Sequence, residues 1–132
     1  MKITRTTQLL VHMPDKVGQL ARVLDIVAKA GVNVLSCDGY TYNGKACIIL
    51  VTNNNTKVAA RLKKADYDVR QEPVVMVAGR DAVGRGAELA RRIAAARINL
   101  GGARAASTGG RYMVVLQAAN VKRLAAALRK KK

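Results

Sequence analysis

A shift of 66 residues lays this 132-residue chain on top of itself without a gap. Asp15-Lys16-Val17-Gly18 falls on Asp81-Ala82-Val83-Gly84, Val32-Asn33-Val34 on Ile98-Asn99-Leu100, and Ile48-Ile49-Leu50 on Val114-Val115-Leu116. Gly44 meets Gly110, Asn54 meets Asn120, and Leu62 meets Leu128. Such a register implies two copies of one structural unit, each small enough to need support from its neighbour. The repeat also sorts residues. Those kept in both copies are candidates for shared architecture or a shared site.

The first copy reads as alternating elements. Thr7 to His12 is a strand that Pro14-Asp15 ends. From Lys16 the apolar residues Val17, Leu20, Ala21, Leu24, Val27 and Ala28 recur at helical spacing, with Asp15 placed as the N-cap and Gly31 closing the helix. Val32 to Tyr42 is a second strand, Asn43-Gly44 a two-residue hairpin turn, and Lys45 to Thr52 a third strand. Asn53-Asn54-Asn55 caps a second helix with Val58 and Leu62 inward, and Tyr67 to Arg70 is a fourth strand. The second copy repeats the order: Val74–Ala78, a helix from Ala82, Ile98–Ser107, a Gly109-Gly110 turn, Arg111–Ala118 and a helix from Asn120 or Val121.

This is the β-α-β-β-α-β, or ferredoxin-like, plan: an α+β fold of two tandem units, 1–71 and 72–132, each an antiparallel sheet with its helices on one face. The second unit lacks a fourth strand, since only Lys130-Lys131-Lys132 follows its last helix. That leaves Val74–Ala78 as an open apolar edge, which requires a partner from the first unit or from a second chain. The basic tail from Arg129 reads as a frayed, solubilising end.

The hairpin turn fixes the cysteines. Pairing Tyr42 with Lys45 puts Tyr40 opposite Cys47 and Cys37 opposite Leu50, so Cys37 and Cys47 point to opposite faces and form no disulfide in one chain. Both read as buried, inert thiols. No apolar run is long enough to span a membrane and no signal peptide is evident, so a cytoplasmic protein is expected.

The net charge is +16. Residues 1–66 carry ten basic and four acidic groups, and residues 67–132 carry fourteen and four. Such a balance raises a polyanion as partner, although a solvated Arg-rich surface is the commoner origin. Catalysis is disfavoured. His12 is the only histidine and lies in a strand, and no paired carboxylates or metal-ligand spacing are present, so neither catalytic nor metal residues are assigned and no cofactor is implied.

Two polar constellations survive the repeat. One is Asp-x-Val-Gly at the junction of strand one and helix one. Its glycine is costly in a helical turn, and close approach of a ligand carboxylate to the helix N-terminus would repay it. Capping by Asp and tight packing at Gly explain it equally. The other is Asn33 and Asn99 at the start of strand two, where Asn is a poor strand residue but offers both donor and acceptor. A local turn hydrogen bond is the alternative.

The strand order, the Asp-x-x-Gly loop and Gly31-Val32-Asn33-Val34 resemble the ACT domain in two tandem copies. That resemblance implies a regulatory protein without catalytic activity, holding a small effector, an amino acid by preference, between paired domains. The implied contacts are Asp15, Lys16, Val17, Gly18 and Asn33, with Asp81, Ala82, Val83, Gly84 and Asn99 in the second copy. It also implies a homodimer through sheet edges or helix faces, and a regulated enzyme as a possible partner. The copies differ: Gly86 replaces Leu20 and Arg97 replaces Gly31. Val17 and Val83 stand where many family members carry Pro. Arg80 and Arg85 are extra cations that favour an anionic group or are plain surface. The first copy is therefore the better site.

Two other readings stand behind this one. The RNA-recognition motif shares the strand order, but it stacks bases on strand-three aromatics. Lys45–Leu50 and Arg111–Leu116 lack the two ring positions. A structural partner subunit without a ligand predicts the same fold.

Overall fold

The computed structural model describes residues 1–129. The Lys130–Lys132 part of the expected frayed tail lies outside the described residues. The elements are β1 (Lys2–Pro14), α1 (Gln19–Lys29), β2 (Val34–Tyr42), β3 (Lys45–Thr52), α2 (Asn55–Lys64), β4 (Asp68–Arg80), α3 (Arg85–Ala95), β5 (Gly102–Thr108), β6 (Arg111–Gln117) and α4 (Val121–Arg129). None of these helices is long and apolar enough to cross a membrane.

Two compact units form, and they do not divide the chain at one point. One is Thr7–Glu72; the other is Met1–Thr6 together with the chain from Pro73 on. The reason lies in two long strands. Tyr67–Arg70 and Val74–Ala78, expected as separate strands, are parts of one continuous β4, and β1 begins at Lys2 rather than Thr7. The first unit has the strand order β2-β3-β1-β4, using β1 from Thr7 and β4 up to Glu72. The second has β5-β6-β4-β1, with Lys2–Thr6 beside the later part of β4. The open edge at Val74–Ala78 is thus covered by the residues preceding the first copy, and the missing fourth strand is supplied from there. Ile3 packs on the second core, and the Arg129 guanidinium donates to its carbonyl at 3.4 Å.

Inside the first unit, Leu9, Val11 and Met13 of β1 and Ile48 and Leu50 of β3 face Val23 and Val27 of α1 and Val58 and Leu62 of α2. β1 pairs β3 antiparallel with Met13 opposite Ala46 and Val11 opposite Ile48. The second unit repeats this with Val75 and Val77, Leu116, Leu89 and Ile93, and Leu124 and Leu128. At ~1.5–3 kcal/mol for each buried aliphatic side chain, these cores are the main opposition to chain entropy.

The β2–β3 register is the expected one: Tyr42 opposite Lys45, Tyr40 opposite Cys47, Cys37 opposite Leu50. Both turn residues have positive φ, 49° at Asn43 and 74° at Gly44. Cys47 is buried as expected, but Cys37 is exposed, because it lies on the edge strand β2.

Helix starts differ from expectation. Asp15 is not the N-cap; α1 begins at Gln19 behind Gly18, which has φ 90° and no capping side chain. Val17 therefore lies outside the helix and is fully exposed, Leu20 is half-exposed, and the buried stripe centres on Val23 and Val27. α3 likewise starts at Arg85 behind Gly84, with φ 85°. At α2 and α4, capping follows the sequence: Asn54 Oδ1 accepts from Lys57 N at 3.2 Å, and Asn120 Oδ1 accepts from Arg123 N at 3.0 Å.

Asn55 braces the first unit. Buried to 8% exposure, its Oδ1 accepts from Thr52 N (2.9 Å) and Thr52 Oγ1 (2.6 Å). Its Nδ2 donates to Thr7 O (2.8 Å) and Thr7 Oγ1 (2.9 Å). The second copy has Val121 at this position.

Candidate functional site

The Asp-x-Val-Gly loops are built the same way in both copies. Asp15 N donates to Gly44 O at 2.9 Å, and Asp81 N to Gly110 O at 2.8 Å, so each loop is tied to the hairpin turn of its own sheet. Gly18 and Gly84 then reverse the chain into the helix with left-handed φ, a conformation that costs an L-residue about 1–2 kcal/mol. That backbone requirement explains the repeated glycine. A Cβ at either position would meet no protein atom within 4 Å, so tight packing within the fold is not the cause.

Under the first loop lies a cavity of about 660 Å³. Asp15, Lys16 and Gly18 form its rim, Gln19 and Leu20 of α1 one wall, and Cys37 to Thr41 of β2 the other, over a floor of Met13, Ala46 and Ile48. Gln19 is held in place: its Oε1 accepts from the Tyr67 hydroxyl at 2.8 Å, and the Arg22 guanidinium sits 5.2 Å from the Tyr67 ring centre. Asp38 Oδ1 accepts from Gly39 N at 2.8 Å. The cavity therefore offers one carboxylate, Asp15, one ammonium, Lys16, and the start of a helix around an apolar floor; the Asp38 side chain lies on the other face of β2, with Tyr40 and Cys47. Burial pushes the Cys47 thiol above its usual range, partly offset by its hydrogen bond with Tyr40; that same bond raises Tyr40.

The second copy has a matching but smaller cavity, about 230 Å³, lined at repeat-equivalent positions by Asp81, Arg85, Gly86, Ala105 to Ser107 and Tyr112. Its groups are already engaged. Ser107 Oγ donates to Asp81, and Arg85 is paired with Glu88 at 3.1 Å. The floor is rebuilt by a size exchange. Met13 opposite Ala46 in the first copy becomes Gly79 opposite Tyr112 in the second, and the Tyr112 ring lies over Gly79.

The remaining expected site residues are placed as follows. Val17 and Val83 project into solvent and line neither cavity; Ala82 and Gly84 do not line the second. Asn33 is exposed, and its backbone makes the local bonds of a strand start: its N donates to Asn53 Oδ1 (3.1 Å) and its O accepts from Asn53 N (3.2 Å). Val34 pairs at the Thr52 end of β3, whereas Pro14 and Tyr42 both pair with Lys45. Asn33 and the Asp15 loop of one unit thus stand at opposite ends of the sheet, about 25 Å apart at ~3.3 Å per residue of β2. Asn99 is likewise exposed ahead of β5. The strand-two wall from Cys37 to Thr41 was absent from the sequence reading. Gly39 is the one signal for it, a strand glycine marking a place without a side chain.

Among the described residues no group of three His, Cys, Asp or Glu is placed to hold a metal ion. Residues 7–40, which include the first loop and its β2 wall up to Tyr40, match the ACT domain family model. No curated protein matches the chain in sequence. In fold it is similar to a Bacteroides thetaiotaomicron protein at 17% identity, with a TM-score of 0.88, covering 96% of this chain and 88% of that one. It is also similar to the regulatory subunit of aspartate kinase from Thermus thermophilus, in its ligand-free form, at 15% identity, TM-score 0.67, covering 96% and 93%. Aspartokinase III of E. coli, in complex with aspartate and ADP, gives 17% identity and TM-score 0.61, covering 96% of this chain and 31% of that one. The fold is ACT-like, consistent with tandem ferredoxin-like units.

Proposed function

We propose that this protein is a regulatory, non-catalytic binder of a small effector, an amino acid, held in the first unit between the Asp15–Gly18 loop and β2. The observation that carries this is the 660 Å³ cavity, lined for the most part by the segment matching the ACT domain. Its size is in the usual range for small-molecule sites. Its chemistry suits a zwitterion: Asp15 for the ammonium, Lys16 and the α1 N-terminus for the carboxylate. The regulatory subunit of aspartate kinase among its structural neighbours supports the regulatory reading. The second cavity, with Asp81 and Arg85 already engaged, is assigned no ligand. Asn33, at the far end of β2, is assigned no contact with this one. The same reading takes the protein to be cytoplasmic, to dimerise through a sheet edge or helix face, and to act on a partner enzyme.

A thermal-shift screen with the twenty amino acids tests it. A ligand at 100 times its dissociation constant stabilises the fold by about 2.7 kcal/mol, a shift near ~10 °C for a chain of this length. Gly39→Val builds a side chain into the cavity wall and removes the shift, while Asn33→Ala leaves it. No shift with any amino acid, or a full shift in Gly39→Val, refutes the proposal.

A further inference from the structure

Strand alternation sorts the lining of the first cavity into side chains and backbone. Thr41, Gly39 and Cys37 of β2 lie opposite Ala46, Ile48 and Leu50 of β3, which in turn lie opposite Met13, Val11 and Leu9 of β1. This is the face that the helices cover, since Leu9, Val11, Met13, Ile48 and Leu50 all belong to the first core. The body of the cavity is therefore lined by the apolar side chains of Met13, Leu20, Ala46 and Ile48, with only neutral polar groups beside them. Asp15 and Lys16 stand at the rim, and no carboxylate, ammonium or guanidinium lines the body.

Two residues of this cavity are not required by the fold. Leu20 continues the inward stripe of α1, with Val23, Leu24 and Val27 at i+3, i+4 and i+7, yet it is 52% exposed because the cavity lies beneath it. The second copy has Gly86 there, in a helix that starts the same way behind Gly84. A leucine is thus not needed to build this helix start. Gly39 stands in the middle of β2, where glycine weakens a strand. Its φ lies outside the left-handed region, and a Cβ there would meet only Cys47 O at an ordinary 3.6 Å. The fold has room for a side chain at this position, and the second copy carries Ala105. In the first copy, an exposed leucine and an unfilled strand position border one space.

We infer that the effector is an amino acid with a large apolar side chain, and that Leu20 and Gly39 select it. This rests on the effector reading above and adds the class of amino acid. With the ammonium and carboxylate held at the rim by Asp15, Lys16 and the α1 N-terminus, the side chain of the effector enters the body of the cavity. There it lies between Leu20 and the open position at Gly39, over Met13 and Ala46. An apolar group in this place removes its own surface and that of Leu20 from water, which favours binding. A carboxylate or ammonium there leaves water with no opposite charge to meet it. Alanine keeps both backbone charges but forgoes the apolar contact, and each missing methylene weakens such a fit by about tenfold or more. The second copy, with Gly86 for Leu20 and a methyl group at Ala105, has neither half of the arrangement.

The test is isothermal titration calorimetry of the full chain with L-leucine, L-methionine and L-phenylalanine against L-alanine, L-aspartate, L-lysine and L-glutamine. The best of the three apolar amino acids binds at least about tenfold more tightly than any of the other four. Leu20→Gly, which copies the second unit, weakens that ligand by about tenfold or more and alanine by less than about threefold. Leu20→Met restores the affinity. Val17→Ser, which removes an exposed apolar side chain that lines neither cavity, leaves it unchanged. Circular dichroism checks that the variants are folded. The inference is overturned if aspartate, lysine or glutamine binds as tightly as the best apolar amino acid, or if Leu20→Gly keeps full affinity or weakens alanine as much. In each of those cases an amino acid still binds, and the effector reading stands. Binding of no amino acid refutes the effector reading itself, and this inference with it.

Discussion

The exchange of Met13 and Ala46 for Gly79 and Tyr112 allows a direct test of how the second core is packed. A Cβ built on Gly79 lies 2.9 Å from Tyr112 Cε1 and 3.0 Å from its hydroxyl oxygen. That is inside van der Waals contact, and the ring, 7% exposed, has little room to retreat. Gly79→Ala should therefore cost about 1–3 kcal/mol through overpacking. Tyr112→Ala, which empties the space over Gly79, should cost about 3–5 kcal/mol. The double variant Gly79→Met/Tyr112→Ala recreates the first copy's pair and should lose much less than the sum of its singles, with a coupling of at least ~2 kcal/mol. Urea unfolding followed by far-UV circular dichroism measures each free energy, provided the transitions are single and share one slope. Strict additivity in this cycle would show that the two positions do not share one space, and the account of the size exchange would be wrong.

Three further outcomes follow from single sites. Arg97→Gly relieves a left-handed backbone position and should stabilise the protein by about 1 kcal/mol, while Gly31→Ala should destabilise it by about 1–2 kcal/mol; chemical unfolding reads both. Asn55→Ala strips partners from Thr52 and Thr7 in a buried setting and should cost about 2–4 kcal/mol, whereas Val121→Ala, its counterpart, should cost only a packing term; a larger loss at Val121 would contradict the bracing role. Cys37 should react with a thiol reagent in the folded protein and Cys47 only on unfolding, as mass spectrometry of labelled peptides would show. Because burial raises Cys47 in the folded state, the unfolded thiol ionises first as pH rises. Its contribution to stability is complete below the unfolded value near 9.0 and declines above it. Cys47→Ala should flatten the stability profile in that alkaline range; an unchanged profile would mean the thiol is not shielded.

Legibility in the sequence varied with how local the cause was. The Asn43-Gly44 turn set a register that holds residue by residue from Tyr42 back to Ser36, where a shift before Val34 breaks it, because both turn positions demand positive φ and strand alternation carries that choice along. The four-helix count and the inward Val58 and Leu62 came from periodicity in the same way. The helix starts misled, since Asp15 has the chemistry of an N-cap while Gly18 has the backbone geometry. Lys2–Thr6 gave the weakest signal. With Ile3 its only aliphatic residue, the segment reads as a polar terminus, and only its distant neighbour on β4 makes it a strand. At the site, the loop was visible because the repeat preserves it. Its β2 wall was not, because a wall of Cys37, Gly39 and Thr41 is defined by small side chains and the space they leave.

The use of Lys2–Thr6 by the second unit also orders events in time. These residues are made more than sixty residues before their neighbours on β4 and well over a hundred before Arg129, which closes on Ile3. During synthesis they have no partner, while the first unit already has all of its chain once Glu72 has emerged. The second unit must then close a long loop between Ile3 and Arg129, at an entropic cost that grows only slowly with loop length. Chain order thus completes the residues of the first unit well before those of the second, whose first strand segment waits for its neighbours to be made.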